Sequence, residues 1–177
     1  MTHIPQQLTD LAERIERLNE WIGRLMAWMV VLMAAIVVYD VSMRSIFHIG
    51  SVALQELEWH LFALVFLLGA AYTYRHDGHV RVEIFYQHFS LRRRAWVNLA
   101  GNLLFLLPLC VLVIASSWPF VHNSFLFHES SPDPGGLPFR FLIKSAIPFG
   151  FFLLLLQGLA DSVRQLNILF GPPETRD

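Results

Sequence analysis

Charge is scarce in this sequence. Only 15% of its 177 residues are Asp, Glu, Lys or Arg, against about 25% in an ordinary soluble domain. Hydrophobic residues make up 55% of the chain, which excludes intrinsic disorder, because disordered chains have too few apolar side chains to form a core. The net charge of −1 gives no basic excess of the kind that nucleic-acid binding requires, so we expect no nucleic-acid partner.

Cysteine and the common catalytic motifs are also missing. The one cysteine, Cys110, lies in an apolar run, which excludes a disulfide framework. The sequence contains no nucleophile elbow, phosphate-binding loop or zinc-binding motif. We therefore expect no catalytic residue, no cofactor and no metal site.

The missing charges are concentrated in four stretches that contain no Asp, Glu, Lys or Arg. These stretches are Leu25–Tyr39, Trp59–Tyr74, Val97–Val121 and Ser145–Ala160. A helix needs roughly 20 mostly apolar residues to cross a bilayer, and all four stretches reach this length with their flanks. The sequence predicts an all-α, four-helix integral membrane protein with spans near residues 21–46, 54–76, 95–121 and 139–164, which together form a domain over 21–164.

The basic residues are divided unevenly between the two sides of such a bundle. Ten of the 13 Lys and Arg residues lie in the N-terminal arm, in the loop between the second and third spans, or in the C-terminal tail. The other three, on the opposite side, are Arg44, Arg140 and Lys144. Because cytoplasmic loops of membrane proteins retain positive charge, we expect a multi-pass protein with both termini in the cytoplasm.

Residues 1–20 are predicted to form a cytoplasmic arm, and residues 165–177 a cytoplasmic tail. Apolar side chains in the arm recur at alternating steps of four and three residues, which is the spacing of one face of a helix. The members of this stripe are Ile4, Leu8, Leu11, Ile15, Leu18, Ile22 and Leu25. Such an amphipathic helix lies either on the membrane surface or on a partner subunit, and the sequence leaves both interpretations open.

A second amphipathic segment follows Gly78 in the loop between the second and third spans. Its apolar side chains share one helical face, and Arg81 is placed to contact phosphate headgroups of the lipid. Those apolar residues are Val82, Phe85, Tyr86 and Phe89. We predict a short interfacial helix here, because an isolated strand leaves backbone groups without partners at a membrane.

Ionisable residues at membrane depth are candidates for function. Asp40 and Arg44 are four residues apart at the end of the first span, in the orientation that favours a helical ion pair. Glu56 and Glu58 begin the second span, where Arg44 could reach them across a short loop. The cluster either contacts a partner or solute, or is local structure at two helix ends, where the helix dipole favours acidic residues.

Two further interpretations concern the interior of the spans. His60 is the one histidine well inside an apolar run, so a haem held between facing helices, with His122 or His128 as a second ligand, is an alternative. A solute pathway, by contrast, uses polar groups and broken helices at the midplane. The span centres are almost purely aliphatic and aromatic, which favours a scaffold over a conduit.

Several short segments follow one another in an order and spacing that together are specific. They are Asp40–Phe47, Leu54–Glu58, Gly69–Tyr72, Asp77–Glu83, Glu129–Ser130, Gly136–Pro138, Lys144, Ile147–Pro148 and Gln157–Ala160. With them, residues 25–165 resemble the small permease subunit of the tripartite ATP-independent periplasmic (TRAP) transporters of prokaryotes. Glu83 stands where that family often has Asp, a departure that keeps the charge.

The resemblance implies a non-catalytic four-helix subunit of the bacterial inner membrane that braces a much larger permease subunit. A periplasmic solute-binding protein delivers the solute, usually a carboxylate, and an ion gradient, usually of sodium, drives uptake. Membrane lipid is the other expected contact. The polar residues expected to serve as partner contacts or as structure are Asp40, Arg44, Glu56, Glu58, Arg81 and Lys144. The haem-anchoring subunit of an oxidoreductase is kept as the alternative function.

Overall fold

The computed structural model describes residues 5–76, 78 and 89–171, and the regular elements among them are all helical. The helices are α1 (Gln6–Phe47), α2 (Val52–Arg75), α3 (Leu91–Gly101), α4 (Leu107–Leu126) and α5 (Arg140–Phe170). A π-helical turn, Asn102–Leu106, joins α3 to α4 in one column. Each of the resulting four columns is long and apolar enough to cross a membrane, which confirms the all-α membrane fold.

Parts of the predicted organisation lie outside the described residues. The interfacial helix between the second and third spans falls on residues 79–88, which include the candidate Arg81. The first four residues of the arm and residues 172–177 of the tail are likewise outside. These remain expectations from the sequence.

The N-terminal arm and the first span form a single helix. α1 runs for 42 residues without a break, which at 1.5 Å per residue is about 63 Å. The hydrocarbon core of a bilayer is about 30 Å thick, so α1 extends well beyond one side of it. Arg75 of α2 forms an ion pair with Glu20 on this extension, which fastens the arm to the bundle.

α5 is the helix on which the others pack. α1, α2, α3 and α4 all contact it, and α1 also runs along α2. The buried side of α5 consists mostly of small residues, which allow neighbouring backbones in a membrane to approach closely, and of polar residues, which can hydrogen-bond to other helices. The buried residues of α5 are Ala146, Gly150, Leu153, Gln157, Gly158, Ala160, Asp161, Ser162, Gln165 and Leu169.

The apolar core is small and the apolar surface is large. One cluster, formed by α1, α2 and α5, consists of Ile22, Met26, Ala71 and Leu153, and a second one brings Leu169 of α5 against α3. Side chains such as Phe66 (70% exposed) and Phe105 (73% exposed) point away from the protein. This exposure suits a chain whose surroundings are lipid, where an apolar side chain gains little from burial.

Gly150 is a point of close approach between α5 and α2. A Cβ atom added to it would lie 2.6 Å from the carbonyl oxygen of Leu67, a backbone atom that cannot rotate aside. Gly69 of α2 has nothing within 4 Å of the corresponding position. Substituting each glycine by alanine therefore distinguishes a steric effect, expected only at Gly150, from the effect of helix propensity, expected at both positions.

Gly150→Ala should destabilise the protein, and Gly69→Ala should not. Alanine is favoured over glycine inside a helix by about 1 kcal/mol at both positions, so a difference between the variants reports the contact with Leu67. Overpacking of this kind costs about 1–3 kcal/mol. We expect a lower midpoint of thermal unfolding for Gly150→Ala, followed by circular dichroism in detergent. Equal midpoints for the two variants would contradict the close approach.

Candidate functional site

Buried polar side chains and their partly exposed partners form two groups, one near each end of the bundle. We name the loop-side cluster after the connection between α4 and α5, and it contains Asp40, Arg44, Glu56, Glu129, Ser131, Arg140 and Lys144. The terminus-side cluster lies near the arm and the end of α5, and it contains Asn19, Tyr74, Asn102, Gln157, Asp161, Ser162 and Gln165.

Glu56 fastens the loop between α4 and α5 to α2. Its side chain is 5% exposed, and its carboxylate accepts hydrogen bonds from the Ser131 hydroxyl (2.5 Å) and the Leu137 backbone N–H (2.6 Å). Arg140 Nη2 lies 3.7 Å from the same carboxylate. A buried charge is tolerated when its oxygens are hydrogen-bonded in this way, so Glu56 acts as a clamp on the loop.

Lys144 and Glu129 form a second fastening of the same loop. The Lys144 ammonium donates a hydrogen bond to the Glu129 carboxylate and lies 3.9 Å from the centre of the Phe120 ring. The hydrogen bond from Lys144 holds the pKa of Glu129 below its usual range. The pair therefore stabilises the fold above the ordinary glutamate pKa of about 4.3, and this contribution is lost as the pH falls through the lowered pKa.

Asp40 and Arg44 lie together on α1, as their spacing predicts. Arg44 Nη2 is 2.9 Å from Asp40 Oδ2, with Asp40 buried and half of the Arg44 side chain exposed. Glu56 has its ion pair with Arg140 rather than with Arg44, and Glu58 Oε1 is buried without a hydrogen bond in the described part of the chain. The structure thus divides the predicted cluster into a pair on α1 and a clamp on α2.

His60 is engaged locally. Its Nδ1 lies within hydrogen-bonding distance of the Glu56 carbonyl oxygen, and its ring centre is 3.9 Å from that of Trp59. Within the described ranges, no three His, Cys, Asp or Glu side chains are grouped so that they could hold a metal ion.

Asn102 is the centre of the terminus-side cluster. Its Oδ1 accepts a hydrogen bond from the Tyr74 hydroxyl of α2. Its Nδ2 donates to Asp161 Oδ2 (2.9 Å) and lies 3.3 Å from Ser162 Oγ, both on α5. One amide thereby joins three helical columns. It stands at the first position of the π-helical turn, and such turns are often found at functional positions.

Asp161 is a buried carboxylate with partners on both oxygens. It is 3% exposed. Besides the bond from Asn102, its Oδ1 accepts hydrogen bonds from Arg164 (2.7 Å) and Gln165 (3.0 Å). Arg164 and Gln165 of its own helix therefore hold the carboxylate in place, while Asn102 of the α3–α4 column donates the hydrogen bond from a different helix.

α1 joins the same end of the bundle through a buried amide pair. Asn19 Nδ2 donates to Gln157 Oε1 at 2.8 Å, and both side chains are fully buried. Nearby, Arg75 Nη1 donates to the Glu16 carbonyl oxygen at 2.7 Å and to the Glu20 carboxylate at 3.0 Å. These contacts hold the arm against α2 and α5.

Sequence reasoning missed the terminus-side cluster. Asn102 and Gln157 lie inside the uncharged runs, and Asp161 comes directly after one. A search for charged residues inside the spans therefore does not find them. The available signal was an isolated amide inside an apolar run, because such a group needs a partner inside the membrane. Within each cluster, hydrogen bonds join one helix to another or to the loop, and the arrangement fastens helices together.

Comparisons with known proteins give one match. The family model described as "Tripartite ATP-independent periplasmic transporters, DctQ component" matches residues 33–167, well over half of the chain. Neither the curated proteins nor the solved structures that were searched contain a match. The matched range covers the loop-side cluster and all of the terminus-side cluster except Asn19.

Asn102→Leu should destabilise the protein. Leucine suits the apolar surroundings but removes the hydrogen bond that Asn102 donates to the Asp161 carboxylate, and a hydrogen bond to a charged group contributes about 1.5–3 kcal/mol. The matched control is Asn123→Leu, because Asn123 belongs to the same column and is exposed. Thermal unfolding in detergent should show a lower midpoint for Asn102→Leu than for the wild type, and an unchanged midpoint for Asn123→Leu. Equal midpoints for the two variants would show that Asn102 does not hold the helices together.

Proposed function

The chain belongs to the DctQ family, the small permease component of TRAP transporters, and on this premise we propose that it braces a large multi-span permease subunit. In this proposal a periplasmic solute-binding protein delivers a carboxylate-bearing organic acid, and an ion gradient drives its uptake. The large subunit carries the solute and ion sites. We assign this chain no catalytic role.

The main support is the distribution of its buried polar groups. The loop-side and terminus-side clusters fasten the helices at the two ends, through residues such as Glu56 and Asn102. Between them α5 contacts its neighbours through small and apolar residues, among them Gly150 and Leu153. A bundle tied at both ends is suited to stay fixed while another subunit moves, which is what a brace requires.

We further propose that the protein lies in the inner membrane with both termini in the cytoplasm. The terminus side carries ten of the 13 Lys and Arg residues, and positive charge is retained on the cytoplasmic side. Trp21 and Trp96, both about half exposed or more, lie on that side, where a membrane interface favours indole rings. The loop-side cluster is then periplasmic, and the half-exposed Arg44 is its member best placed to contact a partner.

Asp133→Cys should report both the orientation and the clamp. Position 133 lies in the exposed part of the loop, and the native Cys110 is fully buried, so a membrane-impermeant maleimide should label only the new cysteine. We expect labelling in right-side-out vesicles and none in sealed inside-out vesicles. Adding Glu56→Ala should raise the labelling rate, because the loop loses its two hydrogen bonds to α2.

The control for the clamp is Gln55→Ala, since Gln55 is the exposed neighbour of Glu56. It should leave the labelling rate unchanged. Labelling only in inside-out vesicles would invert the proposed orientation, and equal rates for the Glu56 and Gln55 variants would show that Glu56 does not hold the loop.

Uptake should require this chain together with the large permease subunit. We would co-express the chain with the large permease subunit and solute-binding protein of the same transporter, purify the complex by a tag on this chain, and reconstitute it in vesicles. With a sodium gradient and the binding protein outside, uptake of radiolabelled carboxylates should appear with both membrane chains and be lost when either is left out. Uptake by this chain alone would refute the role of a brace, and failure of the two chains to co-purify would refute the pairing.

A further inference from the structure

α1 carries a stripe of side chains that no other part of the described structure covers. Its members recur at steps of three and four residues, and each is exposed. They are Leu11, Arg14, Leu18, Trp21, Leu25 and Trp28, and we name them the α1 ridge. Trp21 and Trp28 are 64% and 73% exposed. The adjacent stripe of α1, which includes Asn19 and Met26, faces the bundle.

The first half of the ridge lies outside the hydrocarbon of the bilayer. Arg75, at the end of α2, contacts Glu16 and Glu20 of α1, so the residues before Glu16 extend past the end of α2. Charged residues are distributed throughout 10–24, and charged side chains are costly at membrane depth. Leu11 is therefore on the aqueous side, where acyl chains cannot cover it, and Leu18 lies level with the charged end of α2.

The arm is also prevented from bending down onto the membrane surface. α1 is unbroken from Gln6 to Phe47, and a sharp bend in a helix needs a proline, a glycine–serine pair or an interruption of its hydrogen bonds. The contacts of Asn19 with Gln157 and of Arg75 with Glu20 hold the arm in line with the bundle. Of the two positions that the sequence leaves open for the arm, the structure favours a protein partner.

We propose that the α1 ridge is the docking surface for a helix of the large permease subunit that runs from the bilayer into the cytoplasm. This inference rests on the proposed function. The alternation of three- and four-residue steps is the spacing at which two helices pack side by side. Because the ridge continues from Leu11 in water to Trp28 within the span, its occupant must cross the same boundary, as a helix of a membrane protein does.

Charge argues against a second copy of this chain as the occupant. Two copies have the same orientation in the membrane, so their α1 helices would meet in parallel and each Arg14 would face the other. Like charges opposed across an interface disfavour the pairing. Arg14 is exposed, and it has no ion pair with another described residue. The partner helix should therefore be apolar with an acidic side chain opposite Arg14.

A photo-crosslinking amino acid placed in the ridge tests the contact directly. We would introduce it at Leu11 or Leu18, with Glu13 as the control because Glu13 is exposed on a third face of the same arm, outside the ridge and away from the bundle. Each variant is co-expressed with the large permease subunit in cells and irradiated. We expect adducts with the large subunit from positions 11 and 18, identified by mass spectrometry, and none from position 13.

The charge of Arg14 gives a second readout. Arg14→Glu should reduce the amount of large subunit that co-purifies with this chain several-fold, whereas Arg14→Lys should retain it. Glu13→Lys, a charge reversal outside the ridge, should have no effect. The helical signal of each purified chain should be unchanged, since Arg14 and Glu13 are both exposed.

The outcomes separate the proposal from its premise. Adducts between two copies of this chain, adducts with lipid only, equal adducts from position 13, or no adducts at all would each overturn the ridge assignment while the complex still forms. A wild-type chain that fails to retain the large subunit would instead overturn the proposed function, and the ridge assignment with it.

Discussion

In a bilayer, apolar surface gives helices little reason to associate, because lipid tails solvate a leucine as well as another leucine does. This constraint explains why the buried side of α5 is made of small and polar residues instead of a leucine stripe. Close backbone contact at Gly150 and hydrogen bonds at Gln157 and Asp161 supply the attraction that the hydrophobic effect supplies in water. The other helices all contact α5, so this face takes part in most of the packing between helices.

The polar contacts near the ends follow from the same constraint. When helices separate within the membrane, a buried amide or carboxylate finds no water to replace its lost hydrogen-bond partner. Each hydrogen bond between two helices therefore opposes their separation. Asn102 does this for three columns at once, and Glu56 does it for a loop that is rich in turn-forming residues. Because these ties lie near the ends, the intervening helix surfaces remain free to contact lipid or protein.

Features of this fold that depend on residues close together in the chain could be predicted from the sequence, but few contacts between residues far apart in the chain could be. The four spans follow from the absence of charge over whole helix lengths, and the Asp40–Arg44 pair follows from a spacing of four residues. The contacts of Glu56 with Ser131 and of Asn102 with Asp161 join residues 75 and 59 positions apart. Helical periodicity gives the face on which a residue lies but not the helix that it meets, so pairings of this kind need the three-dimensional structure.

The arm shows how one sequence pattern can serve two surfaces. Its apolar stripe was a single feature in the sequence, yet in the structure Ile22 packs in the core while Leu11 and Leu18 remain exposed. A stripe wide enough for two contacts is needed when a helix must bind its own bundle and also present a face elsewhere. Because Asn19 and Glu20 fix the arm to α5 and α2, the exposed half is held in one orientation before any partner arrives. Binding a partner there therefore costs less conformational entropy than it would if the arm had to become ordered on binding.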